Sequence, residues 1–277
     1  MLFLRRLAGR WRSLGYLRAA HSGIRPWGGP ARSWALAPGL LGLALAAQAA
    51  GPADNRRSGA DFMSPATQAL QRDDTQNPAW LWLKAGEQRF GADCARCHRP
   101  GSLSGVAVRY PAWDGVLGKP VTLAGRINQC RERHSQQPAW APESEPLLGL
   151  ETFVAHQSRG QPLSPPADAR LTPWRARGEQ LWQQRMGQID LSCAQCHDQN
   201  AGGRLAGSLI PQGHPTAYPL YRLEWQGLGS LQRRLRNCLT GVRAEPFAFG
   251  DDELTALELY LVQRAAGMRL ETPGVRP

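Results

Sequence analysis

The sequence predicts an all-α protein of two tandem helical domains related by an internal repeat, behind a cleaved signal peptide. Three observations carry this. The signature Cys94-Ala95-Arg96-Cys97-His98 recurs as Cys193-Ala194-Gln195-Cys196-His197. Each copy follows an amphipathic stretch holding the same tripeptide, Gly86-Glu87-Gln88 and Gly178-Glu179-Gln180. Each is followed by a lone cysteine, Cys130 or Cys238, and then by an amphipathic segment that runs to a glycine. A unit repeated at this length is one folded module used twice, and no period-two alternation marks a strand.

The chain of 277 residues opens with seven arginines and no acid in residues 1–49. An apolar run, Ala35–Ala47, is broken by Pro38 and Gly39 and leads to the small-x-small site Ala47-Gln48-Ala49. This reads as a secretory signal peptide over 1–49. About 13 apolar residues with an internal Pro-Gly are too few to span a bilayer, so no membrane span is expected in the mature chain. Residues 50–76 are polar and poorly periodic and are expected to form a surface-lying or partly ordered N-terminal arm.

The first repeat is expected over 77–160. Asn77-Pro78 suits an N-cap and first turn, and Trp80, Leu83 and Phe90 share a face of the helix that enters Cys94. After the Cys-x-x-Cys-His motif come a loop rich in glycine and proline, a short helix ending at Cys130, and a closing helix with Leu147, Leu150 and Glu151, running to Gly160. Gln161–Arg170, with three prolines, reads as a linker. The second repeat, 171–277, answers part for part. Thr172-Pro173 starts a helix with Trp174, Leu181, Trp182 and Met186 on one face. Ser230 caps and Gly241 stops the helix bearing Cys238. Leu254, Leu257 and Glu258 then form the closing helix, with Asp251 as its N-cap and Gly267 as its C′ residue.

Cys-x-x-Cys-His is the covalent attachment motif of c-type haem. Two cysteines three apart meet the vinyl groups from one short helical turn, and the following imidazole reaches the iron. Two complete motifs predict two covalent haem c groups, held by Cys94, Cys97, Cys193 and Cys196, with His98 and His197 as proximal iron ligands, on two cytochrome c-like domains. Haem of this kind is attached outside the reducing cytosol, so the chain is expected in the periplasm. A Cys-x-x-Cys zinc module is disfavoured, since both motifs end in histidine behind a signal peptide.

The net charge of +11 does not point to nucleic acid. Of 33 basic residues seven sit in the leader, leaving 26 against 22 acidic ones, and haem propionates offset most of that excess. Only Lys84 and Lys119 are lysines.

The distal ligands are read by position. Met1, Met63, Met186 and Met268 all lie outside the stretches between a haem motif and its closing helix, so methionine ligation is not expected. Cys130 and Cys238 stand where a distal ligand belongs, at equivalent points of the repeat. A Cys130–Cys238 disulfide or two free thiols are the alternatives, and His214 is an alternative ligand for the second haem. His214 otherwise reads as a surface-loop residue, and His156 as a packing or exposed one. Arg234 lies one helical turn before Cys238, on its face, where a guanidinium favours thiolate and can hold an anion. Arg236 and Arg243 add charge nearby, and Arg126 keeps the same offset from Cys130. Pairing of these arginines with propionates or with Glu245 and Glu258 is the plainer alternative.

Over residues 76–277 the chain resembles the diheme SoxA subunits of the periplasmic SoxAX sulfur-oxidation cytochromes. The resemblance is most specific in Tyr221-Arg222-Leu223-Glu224-Trp225-Gln226, Gly229-Ser230-Leu231-Gln232-Arg233-Arg234, Asn237-Cys238 and Gly241-Val242-Arg243-Ala244-Glu245. Leu257-Glu258-Leu259-Tyr260-Leu261 and Val275-Arg276-Pro277 also fit. It implies His and Cys axial ligands at both irons, His98 with Cys130 and His197 with Cys238. It further implies that Cys238 is the active-site residue, found in the family as a persulfide, and that Arg234 binds substrate. The implied reaction couples thiosulfate oxidatively to a cysteine of the carrier SoxYZ, forming a cysteine S-thiosulfonate and sending two electrons to a cytochrome c. SoxX is the implied heterodimer partner. The competing readings are a diheme electron-transfer cytochrome without sulfur-transfer activity and a diheme peroxidase. The peroxidase needs an open iron, whereas both irons here have a candidate cysteine.

Overall fold

The computed structural model describes residues 54–277. The expected signal peptide, its cleavage site and residues 50–53 of the expected arm lie outside these residues. Helices make up the frame, as the spacing of apolar residues predicts. In the first half, α2 (Trp80–Asp93) packs on α4 (Glu145–His156), and α3 (Leu123–His134) carries Cys130. In the second half, α5 (Thr172–Gln183) packs on α8 (Asp252–Arg264), and α7 (Leu231–Gly241) carries Cys238. A short helix α6 spans Cys193–His197, and α1 spans Pro65–Arg72.

The repeated Gly-Glu-Gln has a packing cause. A Cβ at Gly86 lies 1.9 Å from the carbonyl oxygen of Gly149 on α4, and one at Gly178 lies 2.1 Å from that of Ala256 on α8. Only glycine lets the two backbones of each pair approach this closely. Buried Leu83, Phe90, Leu150 and Phe153 fill one core, and Leu181, Trp182, Leu257 and Leu261 fill its counterpart.

Short strands supplement the helices. β1 (Ala112–Asp114) pairs antiparallel with β2 (Lys119–Val121), and β3 (Arg204–Leu205) with β4 (Ser208–Leu209). β5 (Leu220–Arg222) lies between antiparallel β6 (Gly227–Gly229) and parallel β7 (Gly274–Arg276). At two or three residues these ladders are too short to show a period of two in sequence.

Several local expectations shift. Met186 is not on α5, which ends at Gln183; it pairs across a turn with Leu191. The turn holds Gly187 and Asp190, both at positive φ. Asp251 sits at the N-cap of α8, but its carboxylate accepts from the Ala248 N–H rather than from the helix. Gly267 lies one residue beyond C′, since the C-cap is Ala265. The segment expected as a linker is pinned: Leu163 is buried, and Gln161 and Leu163 exchange backbone hydrogen bonds with Gly267, Met268 and Leu270. Residues 54–76 are also built in. Phe62 and Met63 are buried, α1 packs on β7, and the Gln71 side chain accepts from the Val275 N–H at 3.0 Å.

Candidate haem and sulfur site

The second motif begins its own short helix. Ser192 and Gln195 form a capping box, with Ser192 Oγ accepting from the Gln195 N–H at 3.2 Å and Gln195 Oε1 from the Ser192 N–H at 2.8 Å. This holds Cys193, Cys196 and His197 on one turn. Cys193 packs on the Leu181–Trp182 core. Burial pushes its thiol up to about 12, and the neighbouring Cys238, Cys196 and Asp198 add to that against one opposing backbone hydrogen bond.

The His197 ring is fixed in its tautomer. Its Nδ1–H donates to the Pro211 carbonyl at 2.7 Å, so Nε2 carries the lone pair. The ring lies 5.6 Å from that of Trp182, whose Nε1–H donates to Asp198 at 2.7 Å. Arg264 closes the group, 2.6 Å from Asp198 and over the Trp182 ring.

His197 and Cys238 both line a cavity of about 540 Å³ together with Arg222, Arg234, His214 and Tyr218. Phe62 and Met63 form part of its wall. Burial pushes the Cys238 thiol up, but the adjacent His197 side chain and the charges of Arg234 and Arg222 outweigh it and hold the thiol below its ordinary value. Cys238 sits on α7, whose N-cap Ser230 accepts from the Arg233 N–H at 3.1 Å. Arg234 is one turn earlier on the same helix and makes no ion pair among the described residues. The donor set suits haem c: two thiols for the vinyl groups, an imidazole with its far nitrogen already satisfied, and a further sulfur, Cys238, in the same cavity.

In the first half α2 runs directly into Cys94. The motif is a tight turn, with Cys97 and His98 N–H groups donating to the Cys94 carbonyl at 3.0 and 2.9 Å. Burial pushes the Cys94 thiol up to about 11, with Asp93 and the nearby Cys130 and Cys97 adding and Arg131 opposing. Cys94, Cys97 and Cys130 are thus brought together, while His98 is exposed. Behind them Arg131 is buried, paired with Asp93 at 3.0 Å and stacked 3.4 Å over Trp140. All six cysteines are free, so the disulfide alternative for Cys130 and Cys238 does not hold.

Other candidates resolve individually. His214 is a half-buried loop residue that lines the cavity, where burial first, and then Arg264 and Arg56, push its ring down to about 4. His156 packs edge-on against Trp80 at 5.2 Å. Arg236 turns away, donating to the carbonyl of Phe247 and stacking on Phe249. Arg204, Arg222 and Arg276, not singled out for charge in the sequence, line the cavity instead.

Comparison with known proteins finds matches across both halves. The family model "SoxA/TsdA, cytochrome c domain" matches residues 79–163 and 177–270, one stretch in each half. The L-cysteine S-thiosulfotransferase subunit SoxA of Pseudaminobacter salicylatoxidans is 33% identical over 236 residues, covering 81% of this chain and 82% of the relative. The subunit of that name from Paracoccus pantotrophus is 32% identical over 231 residues, covering 80% of each. Among solved structures, SoxXA from P. pantotrophus superposes with a TM-score of 0.77 at 31% identity, covering 80% of this chain and 87% of that one.

Proposed function

Because the chain belongs to the SoxA/TsdA cytochrome c family, we propose that it is the SoxA-type subunit of an L-cysteine S-thiosulfotransferase carrying two haem c groups. It works in the periplasm with a SoxX partner, couples thiosulfate to a cysteine of the carrier SoxYZ, and passes the electrons to a cytochrome c. The observation that carries the reading is the meeting of His197, Cys238 and Arg234 at one cavity of about 540 Å³. Among the described residues, no helix is long and apolar enough to cross a membrane.

Haem c, when bound, supplies an iron that takes up electrons one at a time and relays them. Cys94 and Cys97 with His98 and Cys130 would hold the first group; Cys193 and Cys196 with His197 and Cys238 would hold the second. The chain's own contribution is sulfur, charge and access. Arg234 binds the sulfonate end of thiosulfate, leaving the outer sulfur toward Cys238. A bond forms between Cys238 Sγ and that outer sulfur as two electrons leave. The deprotonated carrier cysteine then attacks the outer sulfur, and the bond to Cys238 breaks with its electron pair returning to Cys238 as thiolate. The carrier departs as a cysteine S-thiosulfonate, its thiol proton released to solvent.

Mass analysis of the Cys238 peptide tests the reading. After exposure to thiosulfate and oxidised cytochrome c it should carry added sulfur, and lose it when SoxYZ is supplied. A Cys238 peptide that never gains sulfur, in a protein that still shuttles electrons, favours a pure electron-transfer cytochrome.

A further inference from the structure

The two halves carry the same scaffold around their lone cysteines, and the scaffold sets residue against residue. In the first half β1 and β2 pair Ala112 with Val121 and Asp114 with Lys119; Thr122 then caps α3, Arg126 follows in its first turns, and Cys130 after that. In the second half β5 and β6 pair Leu220 with Gly229 and Arg222 with Gly227; Ser230 then caps α7, with Arg234 and Cys238 at the same offsets. Asp114 and Arg222 therefore occupy one position, at the end of equivalent strands and on the same strand face as Ala112 and Leu220.

The consequence for the equivalent arginines is opposite. Asp114 is buried and lies 2.8 Å from Arg126 and 3.7 Å from Arg133, so the first-half arginine is neutralised. Arg234 instead shares its cavity with a second guanidinium. Arg222 has its side chain 16% exposed and lines the same cavity as Arg234 and Cys238. Its Nε and Nη2 reach Glu224 at 3.0 and 2.9 Å, and Nη1 has no partner among the described residues. Burial and then the neighbouring Arg234 charge depress the Arg222 guanidinium, as expected of like charges sharing a low-dielectric site. Two partly buried guanidiniums share a cavity with Cys238, one of them with Nη1 unpaired among the described residues, and this suits an anion able to accept from both.

We propose that Arg222 is a second substrate-binding residue, forming with Arg234 a two-guanidinium clamp for a small dianion, and that the Asp114-to-Arg222 exchange makes only the second half an anion site. This rests on the functional reading above, and it assigns the charge selectivity of that site to a strand residue as well as to α7.

The test uses the holo heterodimer and reads thiosulfate binding, by perturbation of the haem absorption bands, separately from coupling to the carrier. Arg222→Gln should raise the KM and the binding constant for thiosulfate about ten- to a hundredfold, with kcat changed far less and both haems retained. Arg222→Lys should restore much of the affinity, and Arg222→Asp should abolish binding, recreating the neutralised first-half arrangement. Asp114→Asn should leave thiosulfate affinity unchanged. Wild-type affinity in Arg222→Gln, or a shifted haem potential with unchanged KM, overturns the clamp and makes Arg222 a haem-supporting residue. A wild-type protein that binds thiosulfate through Arg222 yet couples none sinks the transferase reading and leaves the clamp standing. No thiosulfate binding by wild type overturns both.

Discussion

Arg126 and Arg234 hold the same place in their halves and differ in what faces them. The first is neutralised by buried Asp114 at 2.8 Å, whereas the second faces a cavity with Cys238. Losing one charge-assisted hydrogen bond costs about 1.5–3 kcal/mol, so Arg234→Ala should lower kcat/KM for thiosulfate roughly ten- to a hundredfold. Arg126→Ala should leave it nearly unchanged; equal losses from the two would assign both arginines to haem support. Ligation is separable at the same scale. With no methionine suitably placed, both ferric haems should be low-spin with thiolate character in electron paramagnetic resonance. Cys130→Met should alter one set of signals and Cys238→Met the other, and unchanged spectra in both variants would remove these cysteines from the irons. The cysteines, the histidines and Arg234 can be proposed from sequence because fixed spacing ties them together. Arg222 cannot, because its equivalence to Asp114 is visible only when the two hairpins are laid over one another.

Helix pairing within each half depends on a glycine. A Cβ at Gly178 must displace the Ala256 carbonyl, a backbone atom that cannot yield without moving α8. Gly178→Ala should therefore destabilise the protein by about 2 kcal/mol or more, read as a fall of roughly 4–8 °C in thermal midpoint. Gly91→Ala, with nothing within 4 Å of its Cβ, should be neutral or slightly stabilising. The closing helices also carry a half-buried pair of carboxyls that line one cavity. Burial pushes Glu151 up to about 8 and Glu258 up to about 7; nearby carboxylates add, and the Ala124 N–H and the Gln232 side chain oppose. A carboxyl with a raised folded-state value holds its proton longer in the native state, so stability falls as pH rises from the ordinary carboxylate range through about 7–8. Each contributes at most about 1.4 kcal/mol per pH unit in that window. Thermal midpoints of Glu151→Gln and Glu258→Gln should show a flatter decline between pH 5 and about 8, and an unchanged slope would mean that neither group is protonated in the fold. The helices were legible from the repeated glycines, the Ser230 cap and apolar spacing, whereas α2 starts after Ala79 rather than at an Asn77 cap and Asp251 does not cap α8 with its side chain. The end of α5 was not, because the turn at Gly187 interrupts a face that the spacing alone extends to Met186.

Across the whole molecule the halves are not beads on a linker. Ala79 and Leu148 of the first half share a cluster with Tyr221, Leu228 and Val275 of the second, and Val108 and Leu163 share another with Ala265 and Leu270. The repeat was visible in sequence, but this joint was not. It depends on a tail strand, Gly274–Arg276, pairing with Leu220–Arg222 far back in the chain, and such non-local pairing leaves no local pattern. The arm was expected to lie on the surface for the same reason, since Gln71 and Phe62 acquire their partners only in the folded chain. Two complete motifs predict that both haems remain after acid–acetone extraction, with a mass gain of two groups on the mature chain; a gain of one would leave one half without its cofactor. The central claim is that Cys238 passes thiosulfate to a carrier cysteine. Its most direct test is the intact mass of SoxYZ after incubation with thiosulfate, oxidised cytochrome c and either the wild-type heterodimer or Cys238→Ala with both haems verified. The wild type should add one thiosulfonate group to the carrier and Cys238→Ala none, whereas equal modification by both proteins would contradict the account.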